Sequence, residues 1–359
     1  MLAIDNYNVY NFSKTMEELK KAEEPLYLWG AGNVADEVYR VLEEHGIPVA
    51  GVFVSEAYEN SIKFKDYNVM TLKQALQESG TINVMIGHAQ YHRKSEMENV
   101  EGVNKVYYIL NPFRTHEDIS YDYYIEHRTE YERAYALFEE EYSGKVFQAY
   151  LNARINDNLQ YLLECFNNPI TYFDNGVFAL TKDENYVDIG AYNGDTLLEF
   201  MREINCRYEH VYAFEPDTKL FAELESCVEK FQYSNVDLYK LGLWNSDGEL
   251  FFESDLGQSD RVVDSGDISS RIRVDKLDNV LSGKKVTFIK GALSVGTLEW
   301  IEGAREILSC QKPKLVISVG ITKELLYAVP LLLHEINQDY KFFLRFNESM
   351  PSRLFLYAY

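Results

Sequence analysis

Tyr186-Val-Asp-Ile-Gly-Ala-Tyr-Asn-Gly-Asp-Thr196 decides how this chain is read. A short apolar run ends in Asp188, a turn carrying Gly190 and Gly194 follows, and a helical pattern begins at Thr196. That is a strand, a glycine loop and a helix, the unit that holds a nucleotide-like ligand at the end of a strand. Its glycines let a backbone approach the ligand closely, and the helix N-terminus offers N–H groups to an anion. One unit later Val211-Tyr-Ala-Phe-Glu-Pro-Asp217 ends a second apolar run in Glu215, placed to accept hydrogen bonds from a ribose diol.

Downstream of Ile170 the pattern is an alternating α/β series. Strands are predicted at Tyr186 to Ile189, Val211 to Glu215, Val236 to Leu241, Val286 to Lys290, Lys314 to Val319, Lys341 to Phe346 and Leu354 to Tyr359. Upstream, Leu26-Tyr-Leu-Trp29 reads as a buried strand. It is followed by Gly30-Ala-Gly32-Asn33 and a helix with Val34, Val38, Val41 and Leu42 on one face. Further strands at Val49 to Val54, Ile82 to Ile86 and Val106 to Leu110, with helices at Thr71 to Ser79 and Gln90 to Glu98, imply a small parallel sheet. Gly30, Gly32 and Asn33 are a second candidate nucleotide site. The turn lacks the third glycine of the dinucleotide fingerprint, Ala35 standing there, and no acid ends the second strand. A domain that keeps this turn for backbone reasons alone is the competing reading. The stretch resembles domains found ahead of sugar acyltransferases and some methyltransferases, which implies a nucleotide or sugar-nucleotide pocket.

Between the two blocks, Tyr121, Tyr124, Arg128, Tyr131, Tyr135, Phe138 and Tyr142 fall at helical spacing, an aromatic stripe read as packing. Ser143-Gly144 is expected to end that helix, with Val146 to Phe166 forming another; the pair covers an edge of the second block or mediates a dimer. The fold class expected is α/β with two Rossmann-like domains, residues 1–115 and 169–359, joined by a helical connector, 116–168. Two domains also suit a chain of 359 residues.

A hydrophobic content of 46% with 26% charged residues marks a soluble globular protein, and a net charge of −22 argues against nucleic acid and anionic membranes as partners. Cys165, Cys206, Cys227 and Cys310 show neither metal nor redox spacing, so no metal is expected and a reducing compartment is. Met1 to Asn11 lacks the apolar core of a signal peptide, and no apolar run reaches membrane-spanning length, which places the protein in the cytoplasm.

Six marks in order resemble the FkbM-type S-adenosylmethionine-dependent methyltransferases of class I. They are Val187-Asp-Ile-Gly-Ala-Tyr-Asn-Gly-Asp-Thr196, Ala213-Phe-Glu-Pro-Asp217, Leu241-Gly-Leu-Trp-Asn245, Arg273-Val-Asp-Lys-Leu-Asp278, Phe288-Ile-Lys290 and Glu302-Gly-Ala-Arg305. The resemblance covers Tyr172 to Tyr359 and implies a seven-stranded sheet whose last strand is antiparallel, with S-adenosylmethionine as cofactor. Its implied contacts are Asp188, Gly190, Ala191, Tyr192, Asn193, Gly194, Asp195 and Thr196 around the methionine part, with Asp188 orienting the loop and meeting the ammonium through a hydrogen bond or water. Glu215, Pro216 and Asp217 follow at the ribose, and Gly242, Leu243 and Trp244 at the adenine. A small-molecule, glycan or sugar-linked acceptor is implied by the family.

The chain departs from that pattern beside the acceptor. Relatives continue the fourth strand as Lys-x-Asp-x-Glu-Gly-x-Glu, whereas Lys290 is followed by Gly-Ala292-Leu-Ser294-Val-Gly-Thr297. After the fifth strand a common histidine is replaced in Ser318-Val-Gly-Ile-Thr322. Ala292 and Ile321 cannot act as bases, and Ser294 and Thr297 are poor ones. Three readings stay open. The chain is a methyltransferase whose acceptor is already nucleophilic or whose base lies elsewhere, with Lys290 or a carboxylate of the Glu253 to Asp260 loop as candidates. It is a lapsed enzyme that still binds the cofactor. Or the Gly30 turn is the working site, serving a nucleotide sugar or an oxidoreductase.

Overall fold

The computed structural model describes residues 2–6, 11–54, 63–110, 119–165, 172–173, 176–253, 261–263, 271–293, 295–346 and 353–359. In the first half, β1 (Leu26–Trp29), β2 (Gly51–Val54), β3 (Lys63–Phe64), β4 (Tyr67–Asn68), β5 (Met70–Thr71), β6 (Ile82–Ile86) and β7 (Val103–Tyr107) follow in order. β3 and β4 pair as a small hairpin, and the others form a parallel sheet in the order β5-β2-β1-β6-β7. β1 and β6 are buried along their whole lengths, as continuous apolar runs in the middle of a parallel sheet must be. The helix Asn33–Glu44 turns Ala35, Val38, Val41 and Leu42 inward, so Ala35 takes the core place expected of Val34. β7 begins three residues before the expected Val106 and ends at Tyr107.

The second half holds β8 (Asn185–Ile189), β9 (His210–Phe214), β10 (Val236–Tyr239), β11 (Gly242–Leu243), β12 (Gly248–Glu253), β13 (Arg261–Val263), β14 (Arg271–Asp275), β15 (Phe288–Gly291), β16 (Lys314–Ser318), β17 (Phe342–Phe346) and β18 (Leu354–Ala358). Seven of them make one sheet in the order β10-β9-β8-β15-β16-β18-β17, with β18 antiparallel to both neighbours. All seven expected strands are present within a few residues of their expected ends. The order reverses between β8 and β15, so the loops after these strands border the crevice where ligands of open α/β sheets bind. β11 to β14 form a separate four-stranded sheet that was not expected. Arg271-Ile-Arg-Val-Asp275 alternates polar and apolar residues, which was the available signal for its longest parallel-free pairing, β12 with β14.

The connector corrects one expectation. Ser143 and Gly144 do not end a helix but lie inside Glu141–Asn156, and the preceding stripe is divided between Tyr121–Glu126 and Arg128–Tyr135. Packing overrides local propensity here, because a Cβ on Gly144 would lie 3.1 Å from the Tyr135 ring. The expected helix end at Phe166 falls outside the described residues. Glu141–Asn156 covers the open edge of β17: the Ser143 hydroxyl accepts from Leu344 N at 2.9 Å, and Glu139 N donates to the Phe342 carbonyl at 3.1 Å. Edge groups that would otherwise stay unpaired are thereby satisfied. Arg345 of β17 pairs with Glu140, closing the contact. Ser143→Ala leaves the buried Leu344 N–H without its acceptor, and we expect a loss of about 1–3 kcal/mol in urea unfolding.

Candidate functional site

The glycine loop is built by its two left-handed residues. Gly190 has φ of 71° and Gly194 of 91°, conformations that cost other residues and that turn the chain from β8 into the helix Asp195–Glu203. A Cβ at Gly190 would lie 2.6 Å from Leu293 Cδ2, and one at Gly194 would lie 3.0 Å from Cys227 Sγ. Both glycines are therefore demanded by φ and by neighbouring side chains of the protein itself. Tyr192 also has a positive φ, 51°, and its ring is 41% exposed at the loop tip.

Asp188 lies directly across from Lys290 in the parallel register of β8 and β15. Lys290 Nζ donates to Asp188 Oδ1 at 3.0 Å and to the Gly190 carbonyl at 2.9 Å, while Thr196 Oγ1 donates to Asp188 Oδ2 at 2.8 Å. Asp188 is 0% and Lys290 2% exposed. Asp188 is thus enclosed with both oxygens engaged, and its bonds run to the residues that shape the loop. Burial pulls the Lys290 pKa down, but the adjacent Asp188 carboxylate outweighs it and holds the ammonium above its ordinary value. In this arrangement the Lys290 ammonium is engaged by Asp188 and by the Gly190 carbonyl.

Glu215 follows β9 and points back to the loop. Its Oε2 accepts from Tyr192 N and its Oε1 from Asp217 N, each at 2.9 Å, so two backbone amides aim the carboxylate before any ligand arrives. Beyond Pro216, Asp217 caps the helix Thr218–Phe231 by accepting from Lys219 N and Leu220 N, both at 2.8 Å. Asp195 opens its own helix, accepting from Thr196 N at 2.7 Å, and stands exposed. Ala191 N reaches the Phe214 carbonyl at 3.0 Å, and Asn193 is half-buried beside Gly194.

Gly242 and Leu243 form β11, with Leu243 in the core. The Trp244 ring packs on Gly296, where a Cβ would come within 2.7 Å of it, so Trp244 touches the segment that follows β15. In that segment Ala292 and Leu293 are half-buried against Gly190, and Thr297 is buried at the start of Thr297–Glu302. Ser294 and residues 254–260 lie outside the described residues. Two tyrosines of the connector, one of them from the stripe, reach the loop after β16: Tyr150 donates to the Gly320 carbonyl at 3.0 Å and Tyr131 to that of Lys323 at 2.8 Å. Tyr172, half-buried, sets its ring 5.6 Å from Lys290 Nζ, a neighbour no spacing in the sequence announced.

In the first sheet, Gly30 is explained by close approach: its Cβ would fall 2.4 Å from the Gly87 carbonyl oxygen. Gly32 and Asn33 are exposed at the start of Asn33–Glu44, whose first turn contains Asp36, a charge unfavourable to an arriving phosphate. Next to this turn His88 packs edge-on to Trp29, ring centroids 4.3 Å apart, and accepts from Gln90 N. Burial, with Arg93 and His92 adding repulsion, pulls its imidazole down to about 4. The neutral form is the folded one, so its contribution is complete above the ordinary 6.5 and is lost as pH falls towards 4. His88→Phe should flatten the fall in urea midpoint between those pH values; an unchanged slope would refute this assignment.

Among the described residues no three His, Cys, Asp or Glu are grouped to hold a metal ion, and no helix is long and apolar enough to cross a membrane. No family model matches the chain, and no curated protein does. Among solved structures, the methyltransferase FkbM from Methylobacillus flagellatus KT is similar at 16% identity, covering 97% of this chain and 93% of that one with a TM-score of 0.69. An rRNA methylase from Streptococcus thermophilus (16% identity, 50% of this chain and 87% of that one, TM-score 0.30) and fibrillarin from Aeropyrum pernix with natively bound S-adenosyl-L-methionine (11%, 51% and 70%, TM-score 0.33) are more distant. Over nearly its whole length, this chain carries the fold of an FkbM methyltransferase.

Proposed function

We propose that the chain is an FkbM-type methyltransferase that binds S-adenosylmethionine at the Gly190 loop. The observation that carries this reading is Glu215, a carboxylate at the end of β9 already aimed by the amides of Tyr192 and Asp217. The residues fit the donor at three points. Glu215 would take the ribose hydroxyls, the loop from Gly190 to Gly194 would pass the methionine part, and exposed Asp195 would meet its ammonium in place of the enclosed Asp188. When bound, the donor supplies a methyl group on a sulfonium whose positive charge is lost on transfer. The chain's own part is alignment and exclusion of water, for which the Leu293 side chain puts apolar surface beside Gly190.

With alanine at 292 and Lys290 held as an ammonium, no base for a neutral hydroxyl stands at these positions. The acceptor is therefore one that is nucleophilic as it arrives, an ionised oxygen of a small molecule or sugar-linked compound in the cytoplasm. The same observation favours a second reading, a lapsed enzyme that retains the donor. Mass spectrometry of the purified protein for carried-over donor or its demethylated product, with calorimetry for both, tests the shared premise; absence of binding ends both readings. Ala292→Asp with Ser294→Glu then separates them. The proposed enzyme demethylates its donor in the presence of a small-molecule extract before the change, whereas turnover appearing only after it marks a lapsed site.

A further inference from the structure

Because Asp188 and Lys290 are enclosed, any influence they exert on a ligand must pass through the backbone between them and it. The path is continuous. Lys290 Nζ holds the carbonyl of Gly190, and Phe214 O holds the N–H of Ala191, so both ends of one peptide plane are pinned. The next N–H, that of Tyr192, then reaches Glu215 Oε2 at 2.9 Å. Glycine at 190 adopts either hand of backbone at little cost, so the plane's orientation has to be imposed from outside the residue.

From this geometry we infer that Lys290 is a positioning residue: paired with Asp188, its ammonium fixes the Gly190–Ala191 peptide and thereby presents the loop and Glu215 to the methyl donor. This rests on the donor-binding reading given above. An ion pair kept only for stability would behave differently, since a buried pair replaced on both sides by uncharged groups of similar shape commonly costs little.

The test is the double variant Asp188→Asn with Lys290→Met, which removes both charges and leaves none unpaired. Two quantities are read: hydrogen exchange at the Tyr192 amide relative to amides in the middle of β8, and donor affinity by calorimetry. We expect Tyr192 exchange to quicken and donor affinity to fall, each by about tenfold, the worth of one charge-assisted hydrogen bond, while β8 amides keep their protection. Wild-type exchange at Tyr192 in the double variant would overturn the inference. If the wild-type protein binds no donor, the functional reading falls, and the exchange measurement still decides the positioning role. Should the double variant not fold, Asp188→Asn with Lys290→Leu, which likewise removes both charges and the bond to the Gly190 carbonyl, is read in the same way; unchanged exchange at Tyr192 overturns the inference there too.

Discussion

Glu215→Gln should weaken the binding of S-adenosylmethionine by about 100-fold, the largest effect on affinity expected of any single isosteric change here. On the proposed reading the carboxylate would offer acceptors to two ribose hydroxyls, and a hydrogen bond to a charged group is worth about 1.5–3 kcal/mol. Glutamine keeps one acceptor oxygen and replaces the other by a donor. Since Oε1 and Oε2 each already accept a backbone N–H, from Asp217 and Tyr192, the amide can satisfy only one of them. The loss therefore falls on the pocket in two ways, through the missing ligand bond and through a loosened loop. Asp217→Asn is the matched control. Asp217 is spent on capping Thr218–Phe231, and asparagine caps about as well as aspartate, so donor affinity should hold within about threefold. Calorimetry with both variants decides: an unaltered affinity for Glu215→Gln would remove the ribose role.

How much of this was legible beforehand depends on what each residue answers to. β1, β6, β8, β15 and β18 are short runs buried along their whole lengths, and such runs announce themselves. Glu215 was legible because its place at a strand end fixes its direction. The partner of Asp188 was not legible, for the opposite reason. Nothing local in Val187-Asp-Ile189 shows that Lys290, 102 residues later, will stand beside it in register. The Ser143-Gly144 pair was taken for a helix end because propensity favours that, while the ring of Tyr135 and the open edge of β17 favour a continuous helix. Gly30 stood as either a ligand contact or a backbone demand, and the close approach that makes the backbone demand comes from Gly87, a residue 57 positions away that pattern reading cannot bring near. In each case one deciding partner, Lys290, the edge of β17 or Gly87, is distant in sequence, which no window of residues contains.

Gly303→Ala should cost about 3 kcal/mol in stability, measured by urea unfolding, at the upper end of what an added methyl does to a filled site. Gly303 has φ of −75° and ψ of −2°, which alanine adopts freely, so backbone conformation alone predicts a small gain from a less flexible unfolded chain. Space predicts the reverse. The new Cβ would stand 2.0 Å from the Trp244 carbonyl oxygen, 3.0 Å from its carbon and 3.4 Å from Lys276 Cα, all backbone atoms that cannot swing aside. Around this point three marks of the family resemblance lock together. Trp244 N donates to the Asp275 carbonyl at 2.9 Å, and Asp278 N to the Gly303 carbonyl at 3.0 Å. The Asp278 carboxylate accepts from Glu306 N and Ile307 N, both at 2.9 Å, opening the helix Arg305–Cys310. Leu-Gly-Leu-Trp-Asn, Arg-Val-Asp-Lys-Leu-Asp and Glu-Gly-Ala-Arg thus hold one another in place in this fold. That latch still reaches the site, because the Trp244 ring rests on Gly296, just ahead of Thr297–Glu302 and close behind Ala292 and Leu293. If Gly303→Ala proves as stable as the parent, the backbone contact at Trp244 is not what holds these segments together.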